Sequence, residues 1–242
     1  MNQQPKNNEV EHYLACEHSS VFYLLMMSAG MMGAYTFNLR GGVFCNAQTA
    51  NLVMMAVALG KRDIIMGLYY LIPIFAYLGG IIISEVLPNP VKRIAHVRWD
   101  TYLIGFEIIV LFIIGWLPLS LPHQIVQIAI NFICSMQYNT FRQSEGVPMA
   151  TTFCTNHIRQ FGNSTVKYIR KRDSDSLRRI KMHAIMLFVF FLGGLLLTVL
   201  CDFIAEKSIW LATVPLLIAF IRLLHADLVE ERNLIDEKPH GH

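Results

Sequence analysis

Two short polar segments interrupt the apolar sequence, and their side chains are the ones best suited to chemistry. Residues 42–51 and residues 146–157 each follow a long hydrophobic stretch, and they lie at matching places in the two halves of the chain. Amides and hydroxyls are costly in hydrocarbon unless they find hydrogen-bond partners. Two such segments at corresponding positions therefore indicate a binding site between the halves.

The candidate ligands are uncharged hydrogen-bond donors and acceptors. In the first polar segment they are Asn46, Gln48, Thr49 and Asn51, and in the second they are Thr151, Thr152, Thr155 and Asn156. Such groups suit neutral solutes or partly desolvated ions. The alternative is that they hydrogen-bond to neighbouring helices and hold the bundle together, each contributing about 1 kcal/mol or less.

Turn-forming residues lead into each polar segment. Gly41 and Gly42 permit the turn into the first, and Gly146, Val147 and Pro148 lead into the second. Proline suits the first turn of a helix, where its missing N–H costs nothing, so we expect a helix to begin there. Each segment is expected to enter and leave the membrane on one side, with its helix N-terminus offering N–H groups to anions or carbonyl oxygens.

Three charged residues are further candidates for the site. Glu107 lies inside an apolar stretch, where an ionisable group is expensive and is expected to carry a proton or to pair with a cation. The alternative for Glu107 is a protonated carboxyl bonded to Asn131 or Gln137. Arg40 and Arg142 each precede a polar segment, and we expect them either to extend to the membrane interface or to draw anions towards two entrances.

The composition identifies an integral membrane protein, whose first expected partner is the lipid bilayer. Hydrophobic residues make up 54% of the chain, charged residues only 15%, and the mean hydropathy is +0.44. The net charge of +3 is explained by loop residues that set orientation, so it does not indicate nucleic-acid binding. The apolar stretches long enough to span a bilayer are 20–38, 64–84, 101–119, 124–138, 182–201 and 209–224.

The chain contains two copies of one unit. Each half has an apolar stretch, a polar segment, a stretch with a glycine pair and a further apolar stretch, and Gly79-Gly80 in the first half corresponds to Gly193-Gly194 in the second. The predicted parts are an N-terminal segment (1–18), two membrane repeats (19–119 and 122–225) and a C-terminal tail (226–242).

Lysine and arginine placement favours inverted copies. The basic loops at 92–98 and 167–181 should both be cytoplasmic, which requires one of the three segments between them not to cross. If both polar segments are re-entrant, six helices cross, both termini are cytoplasmic and the second copy is inverted. We therefore predict an all-α integral membrane protein with six transmembrane helices, two re-entrant or broken polar segments and two inverted repeats. An eight-span model with parallel copies is the alternative.

Nothing in the sequence indicates catalysis. GxSxG, HExxH, Walker and dinucleotide-binding motifs do not occur. Cys154 and His157 are neighbours in the second polar segment but have no spaced set of partners, so neither a metal site nor a thiol nucleophile is expected. The five cysteines include no CxxC pair and fit buried free thiols. We expect no enzyme activity and no cofactor.

At the two polar segments the chain resembles the YoaK family of bacterial membrane proteins (domain of unknown function 1275). That family carries Gly-Gly-x-Phe running into Thr-Gly-Asn in the first half and Gly-Val-Pro running into Thr-Gly in the second. The matching residues here are Gly41, Gly42, Phe44, Thr49, Asn51, Gly146, Val147, Pro148, Thr151, Thr152 and Thr155. The resemblance covers residues 19–225 and includes a carboxylate that Glu107 matches. It implies a six-helix protein of the bacterial inner membrane and a transporter, and it supplies no substrate.

The function expected is a small-molecule or ion transporter or permease, with a polar site at the junction of the two repeats. The alternative is a non-transporting sensor or scaffold, whose basic loop 167–181 and charged tail 230–238 contact anionic lipid or a soluble partner. Either function is compatible with a homo-oligomer. Neutral amides and hydroxyls serve many solutes, so the sequence does not narrow the substrate or the coupling ion.

Overall fold

The computed structural model describes residues 13–88 and 97–240, which form a helical bundle. Its α-helices are α1 (Ser19–Leu39), α2 (Gln48–Gly60), α3 (Ile64–Tyr69), α4 (Leu71–Val86), α5 (Trp99–Ile114), α6 (His123–Thr140), α7 (Thr155–Lys171), α8 (Ser174–Ile204) and α9 (Trp210–His225). Among the described residues, β-structure is confined to one short antiparallel hairpin, β1 (Gln143–Ser144) and β2 (Val147–Pro148). The prediction of an all-α protein is confirmed.

The helix bounds follow the predicted apolar stretches, with two informative differences. The stretch at 64–84 is divided at Tyr70, because Pro73 in the first turn of α4 has no N–H to donate and its ring crowds the preceding turn. Helix α8 begins earlier than its apolar stretch, because the Asp173 carboxylate caps it by accepting the N–H of Ser176 at 2.7 Å. Residues 92–96 of the predicted basic loop lie outside the described residues.

Three helix pairs build the bundle, and each joins the two halves of the chain. Helix α1 packs on α8, α4 on α6 and α5 on α9. A Cβ atom at Gly193 would lie 2.2 Å from the carbonyl oxygen of Met27, and one at Gly80 would lie 2.4 Å from that of Phe132. Gly30, on the α1 side of the first pair, is equally crowded. These glycines allow the backbones to approach closely, which is how helices commonly pack in a membrane.

Apolar side chains cover the outside of the bundle as well as filling its core. Phe75, Phe188 and Phe203 are 64%, 62% and 77% exposed. In the described part of the chain, three helical stretches are long and apolar enough to cross a membrane: Ser19–Leu39, Ile64–Val86 and Ser174–Glu230, the last of which contains α8, α9 and the turn between them. Such a surface is expected for a protein whose surroundings are lipid.

The two ends of the bundle are defined by contacts between distant residues. At one end, here called the basal end, the N–H of Ser19 donates to Glu145 at 2.9 Å, which joins the start of α1 to the β-hairpin. At the other, here called the distal end, Arg40 donates to the carbonyl oxygen of Pro118 at 3.1 Å. Helices α1 and α5 therefore run from the basal to the distal end, and α6 runs back.

Buried charges fasten the C-terminal tail to the basal end. Arg98 forms an ion pair with Glu231, and the N–H of Ala15 donates to the same carboxylate at 2.7 Å. Asp227 accepts the N–H of Arg98 at 3.0 Å and the hydroxyl of Thr101 at 2.7 Å. Arg98, Asp227 and Glu231 are only 5%, 2% and 7% exposed. The start of the tail is therefore an integral part of the bundle.

Candidate functional site

The first polar segment enters the bundle from the distal end. Gly41 and Gly42 make the turn after α1, with φ angles of 84° and 69° that favour glycine. The side chain of Asn46 then donates to the carbonyl oxygen of Ala29 at 3.2 Å. Because Ala29 is at the midpoint of α1, the segment has reached the middle of the bundle within a few residues.

Helix α2 leads the chain back to the distal end. Its first residue, Gln48, donates to Asn131 at 2.8 Å in the middle of α6. Helix α3 follows α2 as a hairpin and ends at Tyr69, which bonds to Gln127 in the second turn of α6. Gly41, where the segment begins, lies beside the hydroxyl of Tyr69, so the segment and α3 start and end near each other at the distal end.

The second polar segment enters from the basal end. The β-hairpin lies at that end, where the N–H of Glu145 donates to the carbonyl oxygen of Glu17 at 3.1 Å. The carbonyl oxygen of Thr151 then accepts the amide of Gln137 at 3.3 Å, in the last turn of α6. Helix α7 follows and packs on α8.

The helix of the second segment begins later than predicted. Pro148 does not open a helix but lies in β2, opposite Gln143. Gly146, with a φ of 74°, makes the hairpin turn, and α7 starts only at Thr155. The expectation drawn from Pro148 is wrong because local pairing of the strands satisfies the backbone before a helix can form.

A buried pair of histidines ties the second polar segment to α8. The Nδ1 atoms of His157 and His183 are 2.9 Å apart, and His157 Nε2 is 2.7 Å from the carbonyl oxygen of Ala150. Because a carbonyl can only accept, Nε2 of His157 carries a hydrogen, and in the neutral pair His183 donates to His157. Within residues 13–88 and 97–240, no group of three or more His, Cys, Asp and Glu could hold a metal ion.

The two polar segments face each other across a cavity of about 680 Å³. Its lining residues are Asn46, Ala47, Gln48 and Thr49 from the first segment, Phe153, Thr155 and Asn156 from the second, and Tyr77, Tyr138 and Arg159 from α4, α6 and α7. Pockets that hold small molecules typically have volumes of about 300–1,000 Å³. The cavity therefore has the size and the mixed polar and aromatic walls of a small-molecule site.

The cavity has a positive electrostatic character. Helices α2 and α7 both begin at its wall, and neither N-terminus is capped by a side chain. The N–H groups of a first helical turn carry partial positive charge and need acceptors. Arg159 donates to Asn156 at 2.8 Å and forms no ion pair with another described residue. No carboxylate is among the described residues that line the cavity. The arrangement can bind an anion or a carbonyl oxygen.

Five of the eight uncharged candidates line the cavity, and they are Asn46, Gln48, Thr49, Thr155 and Asn156. The other three are buried behind its wall. Asn51 donates to the side chain of Gln48 at 3.0 Å and so orients a lining residue. Thr152 is fully buried beside Tyr77, another lining residue. Thr151 is also fully buried, and its hydroxyl has no hydrogen-bond partner among the described residues.

Glu107 lies close to the first polar segment but not in the cavity. It is fully buried, and neither carboxylate oxygen has a hydrogen-bond partner among the described residues. The bond to Asn131 or Gln137 considered from the sequence is therefore not formed. Glu107 is near Cys134, whose sulfur is 3.7 Å from that of Cys45 in the first polar segment.

Neither candidate arginine lines the cavity. Arg40 is fully buried and donates to the hydroxyl of Tyr35 and to the carbonyl oxygen of Leu117 at 2.6 Å. It fixes the end of α1 to the turn that follows α5 instead of extending to an interface. Arg142 lies at the basal end and pairs with Glu85 at 2.8 Å. The two arginines are at opposite ends of the bundle.

Five lining residues were not predicted from the sequence, and they are Ala47, Tyr77, Tyr138, Phe153 and Arg159. Aromatic residues are common in every apolar stretch, so no local pattern separates lining rings from core or lipid-facing ones. Arg159 had a usable signal. It follows Thr155 by four residues on α7, a spacing that places the two side chains on one face of a helix.

Comparison with known proteins identifies one family. The family model described as "Protein of unknown function (DUF1275)" matches residues 21–222. The matched region contains both polar segments and every residue that lines the cavity. The comparison with curated proteins and the comparison with solved structures give no match.

Proposed function

The chain belongs to the DUF1275 family, and from this premise we propose that it is a membrane transporter or permease whose solute binds in the cavity between the two polar segments. One observation carries the proposal: segments from different halves of the chain, which enter from opposite ends of the bundle, line a single cavity of about 680 Å³. A site between two halves can be opened to either side when the halves rock against each other.

The solute is a small anion or a molecule that presents a carbonyl oxygen. Two uncapped helix N-termini and Arg159 supply positive charge, while Asn46, Gln48 and Thr49 offer neutral donors and acceptors. The absence of a carboxylate among the described lining residues disfavours a cation. The rings of Tyr77 and Tyr138 provide apolar contact for the remainder of the solute. The proposed action is binding and translocation without catalysis or a cofactor.

The proposal includes two inverted repeats, at 19–119 and 122–225. Helix pairing supports it, because the first helix of each half packs on the glycine-pair helix of the other half: α1 on α8 and α6 on α4. The third pair, α5 with α9, joins the last helices of the two halves. In this arrangement α1, α3 with α4, α5, α6, α8 and α9 cross the cell membrane, and the basal end with both termini is cytoplasmic.

Glu107 is proposed to carry the coupling proton. A fully buried carboxylate without a hydrogen-bond partner among the described residues is expensive in its charged form, so it favours protonation. Replacing Glu107 by Gln keeps the shape and prevents titration. We expect Glu107→Gln to abolish uptake driven by a pH gradient in proteoliposomes while solute exchange continues. Gradient-driven uptake by Glu107→Gln at the parental rate would contradict this role.

Ligand-dependent thermal stability tests the proposed site. The purified protein in detergent is heated with inorganic anions, small carboxylic acids and neutral polar solutes. A ligand present at one hundred times its dissociation constant stabilises the folded state by about 2.7 kcal/mol. The test variants are Thr49→Val and Thr155→Val, which remove lining hydroxyls without changing side-chain shape. The matched control is Thr165→Val, because that hydroxyl bonds only to the carbonyl oxygen of Phe161 within α7.

We expect an anion or a carbonyl compound to stabilise the parent and the Thr165→Val control but to act more weakly on both cavity variants. The same compound should be taken up by proteoliposomes that contain the parent. The proposal is refuted if no compound of these classes stabilises the parent, or if the stabilising compound stabilises the Thr49→Val and Thr155→Val variants as strongly as it stabilises the parent.

A further inference from the structure

Helix α7 has one face against the bundle and a second, apolar face that nothing in the structure covers. His157 and Ser164 are buried against α8. Ile158, Phe161 and Ile169 are 61%, 37% and 63% exposed. Their spacing along the helix places these three side chains on one side, adjacent to the buried face. The face is thus an apolar stripe along α7, interrupted by Thr165, whose hydroxyl donates to the carbonyl oxygen of Phe161 within the helix.

Helix α8, on which α7 packs, also has exposed apolar side chains. Ile185, Phe188 and Phe191 of α8 are 39%, 62% and 65% exposed. They belong to a helical stretch that is long and apolar enough to cross a membrane.

The C-terminal end of α7 carries a cluster of unpaired cations, which we call the basic cluster: Lys167, Arg170, Lys171 and Arg172. All four side chains are exposed, and none forms an ion pair with another described residue. The guanidinium of Arg172 lies over the ring of Tyr168, with 5.6 Å from its central carbon to the ring centroid. By contrast, Arg178 and Arg179 at the start of α8 both pair with Asp175.

We propose that α7 binds anionic lipid, with its apolar stripe in the basal half of the bilayer and its basic cluster on the phosphate groups of the headgroups. An apolar stripe that ends in clustered Lys and Arg is the pattern of a helix held at a membrane surface. The lipid bilayer is the partner that fits both features, because it offers apolar chains beside anionic headgroups and α7 packs on a helix that is long and apolar enough to span it. A soluble acidic protein would account for the cations alone.

The experiment compares full-length protein in nanodiscs of phosphatidylcholine with and without added phosphatidylglycerol. Hydrogen exchange of the backbone amides of α7 is measured in both. The test variant is Lys167→Gln/Arg170→Gln/Lys171→Gln. The matched control is Arg178→Gln/Arg179→Gln, which removes cations that already have a partner. Circular dichroism establishes that both variants keep their helical content.

We expect phosphatidylglycerol to slow exchange in α7 of the parent and the control, and salt to weaken this effect. Each neutralised cation should reduce the lipid-dependent protection about fivefold, which corresponds to about 1 kcal/mol per charge at an anionic surface. Equal protection in the two lipid compositions overturns the proposal. So does protection that the triple variant retains, or that appears only when a soluble acidic protein is added.

Discussion

Removal of the buried carboxylate of Glu231 should destabilise the whole bundle, although this residue lies in the C-terminal tail. The change Glu231→Ala removes the closer of two carboxylates that pair with Arg98, leaving Asp227 at 3.9 Å, and it leaves the N–H of Ala15 without its acceptor. All of these groups are buried. The tail would then no longer tie the start of α5 to the N-terminal segment.

The size of the effect follows from this burial. Breaking a buried ion pair by removing one partner costs about 3–5 kcal/mol, and a buried donor left without an acceptor costs about 1–3 kcal/mol. The two losses overlap at one carboxylate, and Asp227 compensates part of the charge on Arg98. We therefore expect a loss of about 3–4 kcal/mol. At about 2–4 °C per kcal/mol for a chain of this size, the melting temperature should fall by about 6–16 °C.

Thermal unfolding of the full-length protein in one detergent measures this effect. The matched control is Glu230→Ala, which removes the neighbouring carboxylate from an exposed pair with His225 and should cost no more than about 1 kcal/mol. The double variant Arg98→Met/Glu231→Leu removes the Arg98–Glu231 ion pair but leaves Asp227 without this cation and the N–H of Ala15 without its acceptor, so it should recover only part of the stability. Equal melting temperatures for Glu231→Ala and Glu230→Ala would refute the reasoning.

Three further predictions concern packing, pH dependence and the distal turn. Gly80→Ala should cost about 1–3 kcal/mol in thermal unfolding, because its Cβ would strike α6, whereas Gly79→Ala should be tolerated because no atom lies within 4 Å of its Cβ. The cap bond at the start of α8 holds the pKa of Asp173 below its usual range, so this carboxylate stabilises the helix at neutral pH. The stabilisation is lost as the pH falls through the lowered pKa. Hydrogen exchange at the start of α8 should therefore rise with acid in the parent, and in Asp173→Ala it should be high at every pH. Arg40→Lys should lower the melting temperature more than Arg142→Lys, because a single ammonium cannot reproduce the buried bonds of the guanidinium, and equal shifts would contradict this assignment.

Residue types alone determined the membrane class, the positions of the long helices and the two polar segments. Hydrophobicity acts over a whole stretch, so the bounds of α1 and α9 could be predicted within a residue or two. The turn at Gly41 and Gly42 could also be predicted from the residue types alone, because few residues other than glycine adopt positive φ angles.

The tertiary structure decided which polar groups meet. Thr155 and Thr151 are similar in the sequence, yet one lines the cavity and the other is buried behind it. From the sequence, Arg40 was expected to extend to the membrane interface. It is instead buried, because carbonyl oxygens in the turn after α5 accept its guanidinium hydrogens. The charged composition of the C-terminal tail is typical of a solvent-exposed segment, yet Glu231 is buried against Arg98. Which groups face the cavity and which ion pairs are buried depend on contacts between residues far apart in the chain, and no local pattern of residues contains that information.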